Sequence, residues 1–154
     1  MGVPSDAVII VGGGLVSVSI AEPSSIERLA KLLQLYYKFD GITVDLGQVR
    51  AGLATLLADS SLGRVLIVRV DGQDAGFSIF TFGYDLEFGG RQATITEFFL
   101  APEYRRVGLG KACLDCVEAI CKQLGIHALE LQVERNNTNA QAFYKQMGFS
   151  ARQN

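Results

Sequence analysis

Tyr104-Arg105-Arg106-Val107-Gly108-Leu109-Gly110-Lys111-Ala112-Cys113-Leu114 is the stretch on which the fold turns. A run rich in β-branched and aromatic residues, 93–100, precedes it and predicts a strand. The apolar spacing of 109–124 predicts an amphipathic helix. Between them Arg105, Gly108 and Gly110 fall in the pattern Arg-x-x-Gly-x-Gly. A strand, a glycine turn and a helix start make an anion cradle. The first-turn N–H groups lack intrahelical partners, and the helix dipole favours negative charge there. Glycine lets the backbone approach a phosphate because no Cβ intervenes. A glycine pair also serves turn geometry alone, so the flanking sequence has to decide.

Upstream stands Ile95-Thr96-Glu97-Phe98-Phe99-Leu100, and downstream Asn137-x-x-Ala140-x-x-Phe143-Tyr144-x-x-x-Gly148-Phe149. With the two elements in this order, one helix and one strand apart, the sequence resembles the GNAT superfamily of N-acetyltransferases. The close match covers residues 93–149, and coarse topology extends it to residue 15. Within the superfamily, Thr96-Glu97-Phe98-Phe99-Leu100 is most similar to the strand of spermidine/spermine-type and histone-type members.

The resemblance implies an α/β (α+β) fold with a central mixed, mostly antiparallel, twisted sheet flanked by helices. It implies acetyl-CoA as cosubstrate, no metal, and transfer to a primary amine of a small molecule by direct attack in a ternary complex. A protein lysine or N-terminal amine is the alternative acceptor, and a non-catalytic CoA-binding regulatory module the alternative of another class. The diphosphate would be held at Arg106, Val107, Gly108, Leu109, Gly110 and Lys111, with Arg105 or Arg106 adding ionic hydrogen bonds. Backbone groups at Phe98, Phe99 and Leu100 would bind the pantetheine arm, one N–H serving as oxyanion hole. Asn137 would hold the arm from the other side, and Ala140 would leave it room. Tyr144 occupies the family's general-acid position. Thr96 stands where polyamine acetyltransferases carry a glutamate and cannot act as base. Glu97 is adjacent, but successive strand residues face opposite ways, so it serves as base only if a bulge re-aims it. Tyr36, Tyr37, Asp40, Tyr84 and Thr96 would border the acceptor. A homodimer is the family expectation.

At 154 residues the chain is expected to form one acetyltransferase domain, with 1–14 as an N-terminal extension carrying a hairpin strand. A hydrophobic share of 49% suits a packed core, and a net charge of −2 argues against a nucleic-acid partner. No apolar run is long enough for a bilayer span, so no membrane partner is expected. The uncharged run 7–21 contains three glycines and two serines with no basic segment before it, which does not read as a signal peptide. Three cysteines in one helix fit a reducing, cytoplasmic compartment. Cys113 and Cys116 lie on the stripe of Leu109, Val117, Ile120 and Leu124 and read as core rather than as metal ligands.

Strands are expected at 8–11, 16–20, 64–70, 75–82, 93–100 and 128–133. Helices are expected from Ser24 or Ser25 to Lys38, from Asp45 or Gly47 to Leu57, over 109–124, and up to Met147. Asp71-Gly72 predicts a hairpin turn, and residues 83–90 a looser connection. The order is β-α-α-β-β-β-α-β-α behind an extra N-terminal strand, which is expected to cover a sheet edge. Residues 8–14 imitate a dinucleotide-binding start, but Ser17 replaces the third glycine and Pro23 interrupts the segment.

Overall fold

The computed structural model describes residues 6–11, 14–105, 108–133, 135–136 and 138–150. Six strands form one sheet in the order of the chain: β1 (Asp6–Val11), β2 (Gly14–Ile20), β3 (Gly63–Val70), β4 (Gln73–Asp85), β5 (Gly90–Leu100) and β6 (Ala128–Leu131). All neighbours are antiparallel except β5 and β6, which run parallel. The N-terminal strand pairs with β2 and so covers that edge, at the opposite side of the sheet from β6.

Helices α1 (Ile26–Phe39) and α2 (Leu46–Ala58) pack on one face, and α3 (Leu109–Gln123) and α4 (Thr138–Gln146) on the other. Each face has its own core. Leu29, Leu33, Val65, Ile67, Phe77 and Phe99 fill the α1/α2 side; Leu66, Phe80, Ile95, Leu109, Cys113, Leu114 and Val117 fill the other. Cys121 is buried as well, although it stands off the stripe read from sequence. Among the described residues no helix is long and apolar enough to cross a membrane.

Local chemistry sets the helix ends. The Gln48 N–H donates to Asp45 Oδ1 at 3.1 Å, capping α2. Ser25 stands at the N-cap of α1, but its hydroxyl accepts from the Glu22 N–H across a short 3₁₀ turn, so it caps nothing in α1 itself. Gly125 and Gly148, at φ 74° and 98°, end α3 and α4 in the left-handed region.

Two expectations are corrected. The connection at 83–90 is paired up to its tip: Gly83, Tyr84 and Asp85 face Gln92, Arg91 and Gly90. The Asp85 carboxylate accepts from the Glu87 N–H at 2.9 Å, which closes the turn locally. Polar and glycine residues hid this extension because a solvent-facing hairpin end needs no apolar alternation. β6 is shorter than expected, ending at Leu131, because β5 stops pairing with it there.

One ion cluster ties the α1 side to the sheet. Asp74 accepts from Arg28 Nη2 at 2.6 Å and Nε at 3.1 Å, and from Arg69 Nε at 3.2 Å. Its carboxyl is held below the usual range, first by the Arg28 hydrogen bonds. A depressed carboxylate stabilises the fold above the unfolded value and loses that contribution as pH falls through the folded one. Asp74→Asn should therefore cost about 1 kcal/mol at pH 7, a figure reduced by solvent screening at a half-exposed site. Denaturant melts should show the gap from wild type closing below about pH 4.

Candidate functional site

The site begins with how β5 ends. Its pairing with β6 stops at Ile95–Leu131, while its pairing with β4 continues to Leu100. The Ala101 N–H still donates to the Ala75 carbonyl at 2.8 Å. Gly76 makes this possible: an added Cβ would lie 2.1 Å from the Phe99 carbonyl oxygen. By the alternation of an antiparallel ladder, Phe98 and Leu100 then turn their backbone groups away from β4, into the gap. The Leu100 carbonyl accepts from Arg105 Nε at 2.8 Å there.

A bulge sits in the same strand. Ile79 faces Glu97 and Phe80 faces Ile95, so Thr96 is the extra residue. Ile95 belongs to the α3-side core and Phe99 to the α1-side core. Glu97, two residues before Phe99, is thereby turned toward α1. Thr96 Oγ1 donates to Glu97 Oε2 at 2.6 Å. The negative charge of Glu97 reaches both tyrosines of α1. Burial, then Asp40 and Glu97, pushes the Tyr36 phenol up to about 12. Burial and Glu97 raise Tyr37 as well.

A cleft of about 1020 Å³ opens between β5, β6, the end of α1 and the starts of α3 and α4. Tyr36, Asp40, Thr96, Phe98, Phe99, Leu100, Arg105, Gly108, Gly110, Lys111, Ala140 and Tyr144 all line it. At its floor Gly108 has φ 80° and precedes α3 with no side-chain cap. The first intrahelical bond runs from the Ala112 N–H to the Gly108 carbonyl, which leaves the N–H groups of Leu109, Gly110 and Lys111 outside the helical ladder. Tyr144 comes in from α4, half-buried among the rings of Phe98, Phe143 and Phe149. Burial, then the Cys113 thiol, pushes its phenol up to about 12, so it is protonated at neutral pH.

Other expected residues stand elsewhere. Arg106, Val107 and Asn137 lie outside the described residues. Leu109 is buried in the core, so only its backbone can serve an anion. Glu97 and Tyr37 stand beside the cleft rather than in its lining. Tyr84 is on the outer β4–β5 hairpin opposite Arg91, whose guanidinium reaches the Leu124 carbonyl at the far end of α3. It is not brought to the cleft. Arg105 does two jobs: besides Leu100, its guanidinium stacks over Phe39 at 4.6 Å and Phe99 at 5.8 Å. The lining also includes Gln132, Arg135 and Phe143, which the sequence reading left out of the site. Phe143 stood inside the quoted motif and was readable from its place before Tyr144; Arg135 follows a short strand and gave no signal.

The chain's residues 27–149 match the family model of the acetyltransferase (GNAT) family. The chain belongs to the GNAT acetyltransferase family. Over 92 residues it is 29% identical to a Bacillus subtilis (strain 168) protein named a putative ribosomal protein bS18-alanine N-acetyltransferase. That stretch is 60% of this chain and 57% of the relative, so the chain matches little more than half of the relative's length. An integron cassette protein from the mobile metagenome of Cole Harbour Salt Marsh superposes with TM-score 0.79 at 26% identity, covering 87% of this chain and 83% of that one. A predicted acetyltransferase of Clostridium acetobutylicum, solved with acetyl-CoA, gives TM-score 0.76 at 19% identity over 89% and 91% of the two chains, a likeness of fold. None of these three proteins is named a spermidine/spermine-type or histone-type acetyltransferase.

The cradle can be tested directly. Gly108→Val would place a β-branched residue in the left-handed region, at a cost of about 1–2 kcal/mol. Calorimetry should find CoA binding weakened about tenfold, which is the equivalent of 1.4 kcal/mol.

Proposed function

We propose that the protein is an acetyl-CoA-dependent N-acetyltransferase whose acceptor is a protein N-terminal amine. The observation that carries the reaction is the placement of Tyr144 in the same cleft as the uncapped start of α3 and the gap-facing backbone of Phe98 and Leu100. Acetyl-CoA would supply an activated acyl carbon on a good thiolate leaving group, attached to a diphosphate of high charge density.

The chain's own groups fit that molecule. The N–H groups of Leu109, Gly110 and Lys111 would take the diphosphate, with the Lys111 and Arg135 side chains adding charge. Phe98 and Leu100 would hold the pantetheine arm as an added strand, and one of their N–H groups would polarise the thioester carbonyl. In the reaction a nitrogen–carbon bond forms, the carbon–sulfur bond breaks, and the amine gives up a proton. Tyr144 would stabilise the sulfur as it leaves. Its phenol, at about 12, is a weaker acid than a thiol near 8.5. It would therefore act mainly by hydrogen bonding, with outright proton transfer uphill. Glu97, turned to the α1 side by the Thr96 bulge and bonded by the Thr96 hydroxyl, would take the amine proton directly or through water.

Two considerations support the α-amine. One is the name of the Bacillus subtilis relative. The other is acid–base arithmetic. An α-amine has a pKa of about 7.7–8.0, so roughly one in ten is already neutral at pH 7; for an alkylamine near 10.4 it is about one in a few thousand. Glu97 as the one base, with the exposed Phe39 and Ile42 bordering the mouth, suits the easier deprotonation and a larger acceptor. The second reading is the small-molecule amine. Asp40 at the mouth and Glu97 beside it offer two carboxylates to a cationic compound such as a polyamine.

A thiol-release assay with acetyl-CoA separates them. A peptide beginning with alanine should be turned over, and the same peptide with a blocked N-terminus but a free lysine should not. Turnover of diamines alone would select the second reading. CoA binding with no turnover of any amine would leave a non-catalytic CoA-binding module. Tyr144→Phe should lower kcat by about a hundredfold while the CoA Kd stays within about threefold. Equal loss in both would contradict its role.

A further inference from the structure

Gly110 stands in the cradle, but its lack of a side chain has a second consequence. A Cβ built there would lie 2.7 Å from Phe143 Cζ, 3.3 Å from Cε1 and 3.5 Å from Cε2. Normal carbon contacts are about 3.5–4.0 Å. The tip of the Phe143 ring therefore rests directly on the backbone of α3's first turn. Phe143 is half-buried. Its ring meets that of Tyr144 at 5.3 Å, and Tyr144 is in turn wedged edge-on against Phe98 at 6.4 Å and Phe149 at 6.0 Å.

Both residues belong to α4, a helix of nine residues. A helix so short has little stability of its own, and packing sets its position. The ring seated on Gly110 is one contact that joins α4 to the start of α3, beside the nearness of Tyr144 to Cys113. Tyr144 is the next residue, and its phenol lies in the same cleft as Gly110.

We propose that Gly110 is a positioning residue for Tyr144. By admitting the Phe143 ring against the first turn of α3, it fixes the height of the phenol relative to the cradle that receives the diphosphate. This rests on the reading of Tyr144 as the group that meets the leaving sulfur. The anion site and the phenol that hydrogen-bonds the leaving sulfur are then one rigid piece, and a methyl group at position 110 uncouples them. Alanine keeps the Gly110 N–H, so anion binding survives. The added methyl pushes the ring outward, α4 follows, and Tyr144 is displaced. A misplacement of about 1 Å at a catalytic group can cost up to a hundredfold in rate.

The test combines a spectroscopic readout with kinetics. The chain has five tyrosines, so the carbon-13 ring signals of the protein without ligand are few, and Tyr144→Phe assigns the relevant one. Gly110→Ala should move the Tyr144 signal and leave that of Tyr84 in place. Gly110→Ala/Phe143→Leu should return it toward its original position. With acetyl-CoA and the alanine peptide, Gly110→Ala should lower kcat about tenfold with the CoA Kd within about threefold. The double variant should recover most of that loss. In a Tyr144→Phe background, Gly110→Ala should change kcat by less than about twofold, because its effect passes through the phenol. If Gly110→Ala does not fold, Phe143→Leu alone empties the seat without crowding it and should also move the Tyr144 signal. An unmoved Tyr144 signal in both single variants overturns the proposal. So does a rate loss that persists unchanged in the Tyr144→Phe background. A Tyr144→Phe variant at wild-type rate overturns the catalytic reading and this one together, whereas a damaged Tyr144→Phe with a silent Gly110→Ala overturns this one alone.

Discussion

Beyond Ile95, β5 keeps its partner on one side and loses the one on the other. Its bonds to β4 run on to Ala101, secured where Gly76 lets the two backbones close, while β6 has ended at Leu131. A strand paired on one side only presents main-chain donors and acceptors to whatever enters the gap, and each such group takes a partner from solvent or from a ligand. An extended polar chain with amides, such as the pantetheine arm, would supply those partners in the way an added strand would. The cleft between β5 and β6, which Tyr144 lines from α4, follows from this difference in pairing length.

The same strand divides the chemistry between its faces. The extra residue Thr96 shifts the alternation, so that Phe98 points with Ile95 toward α3 and α4, and Glu97 points with Phe99 toward α1. A phenol held protonated and a carboxylate thereby reach the strand from opposite sides. The proposed reaction would use that arrangement, with the leaving sulfur on one side and the incoming amine on the other. Arg105 links the two sides. Its guanidinium joins the Leu100 carbonyl to the faces of Phe39 and Phe99, so the turn before α3 is braced against the end of α1.

Much of this was legible in the chain. The glycine spacing of 105–110, the strand before it and the helix after it follow from local rules of propensity and capping, which act over a few residues. The stops at Gly125 and Gly148 and the hairpin at Asp71-Gly72, where both φ values are positive, are of the same kind. Four features were not legible. The bulge at Thr96 was foreseen only as a condition, because it depends on register against β4. The pairing of 83–85 with 90–92 lacks an apolar face to betray it. The contact of Phe143 with Gly110 joins residues 33 apart in sequence, and no periodicity reports a ring resting on a bare Cα. Arg105 was readable as a cation beside an anion site, but its stacking on Phe39 depends on where α1 ends in space.

Backbone amide NMR during a titration with CoA tests the central claim most directly, since that claim concerns main-chain N–H groups. If those groups hold the cofactor, the largest shifts fall on Leu109, Gly110 and Lys111 and on Phe98 and Leu100, while amides of the α2 helix and the 85–90 hairpin tip stay still. Saturable binding with those five amides unmoved would contradict the account, because the cofactor would then be held by a different part of the molecule.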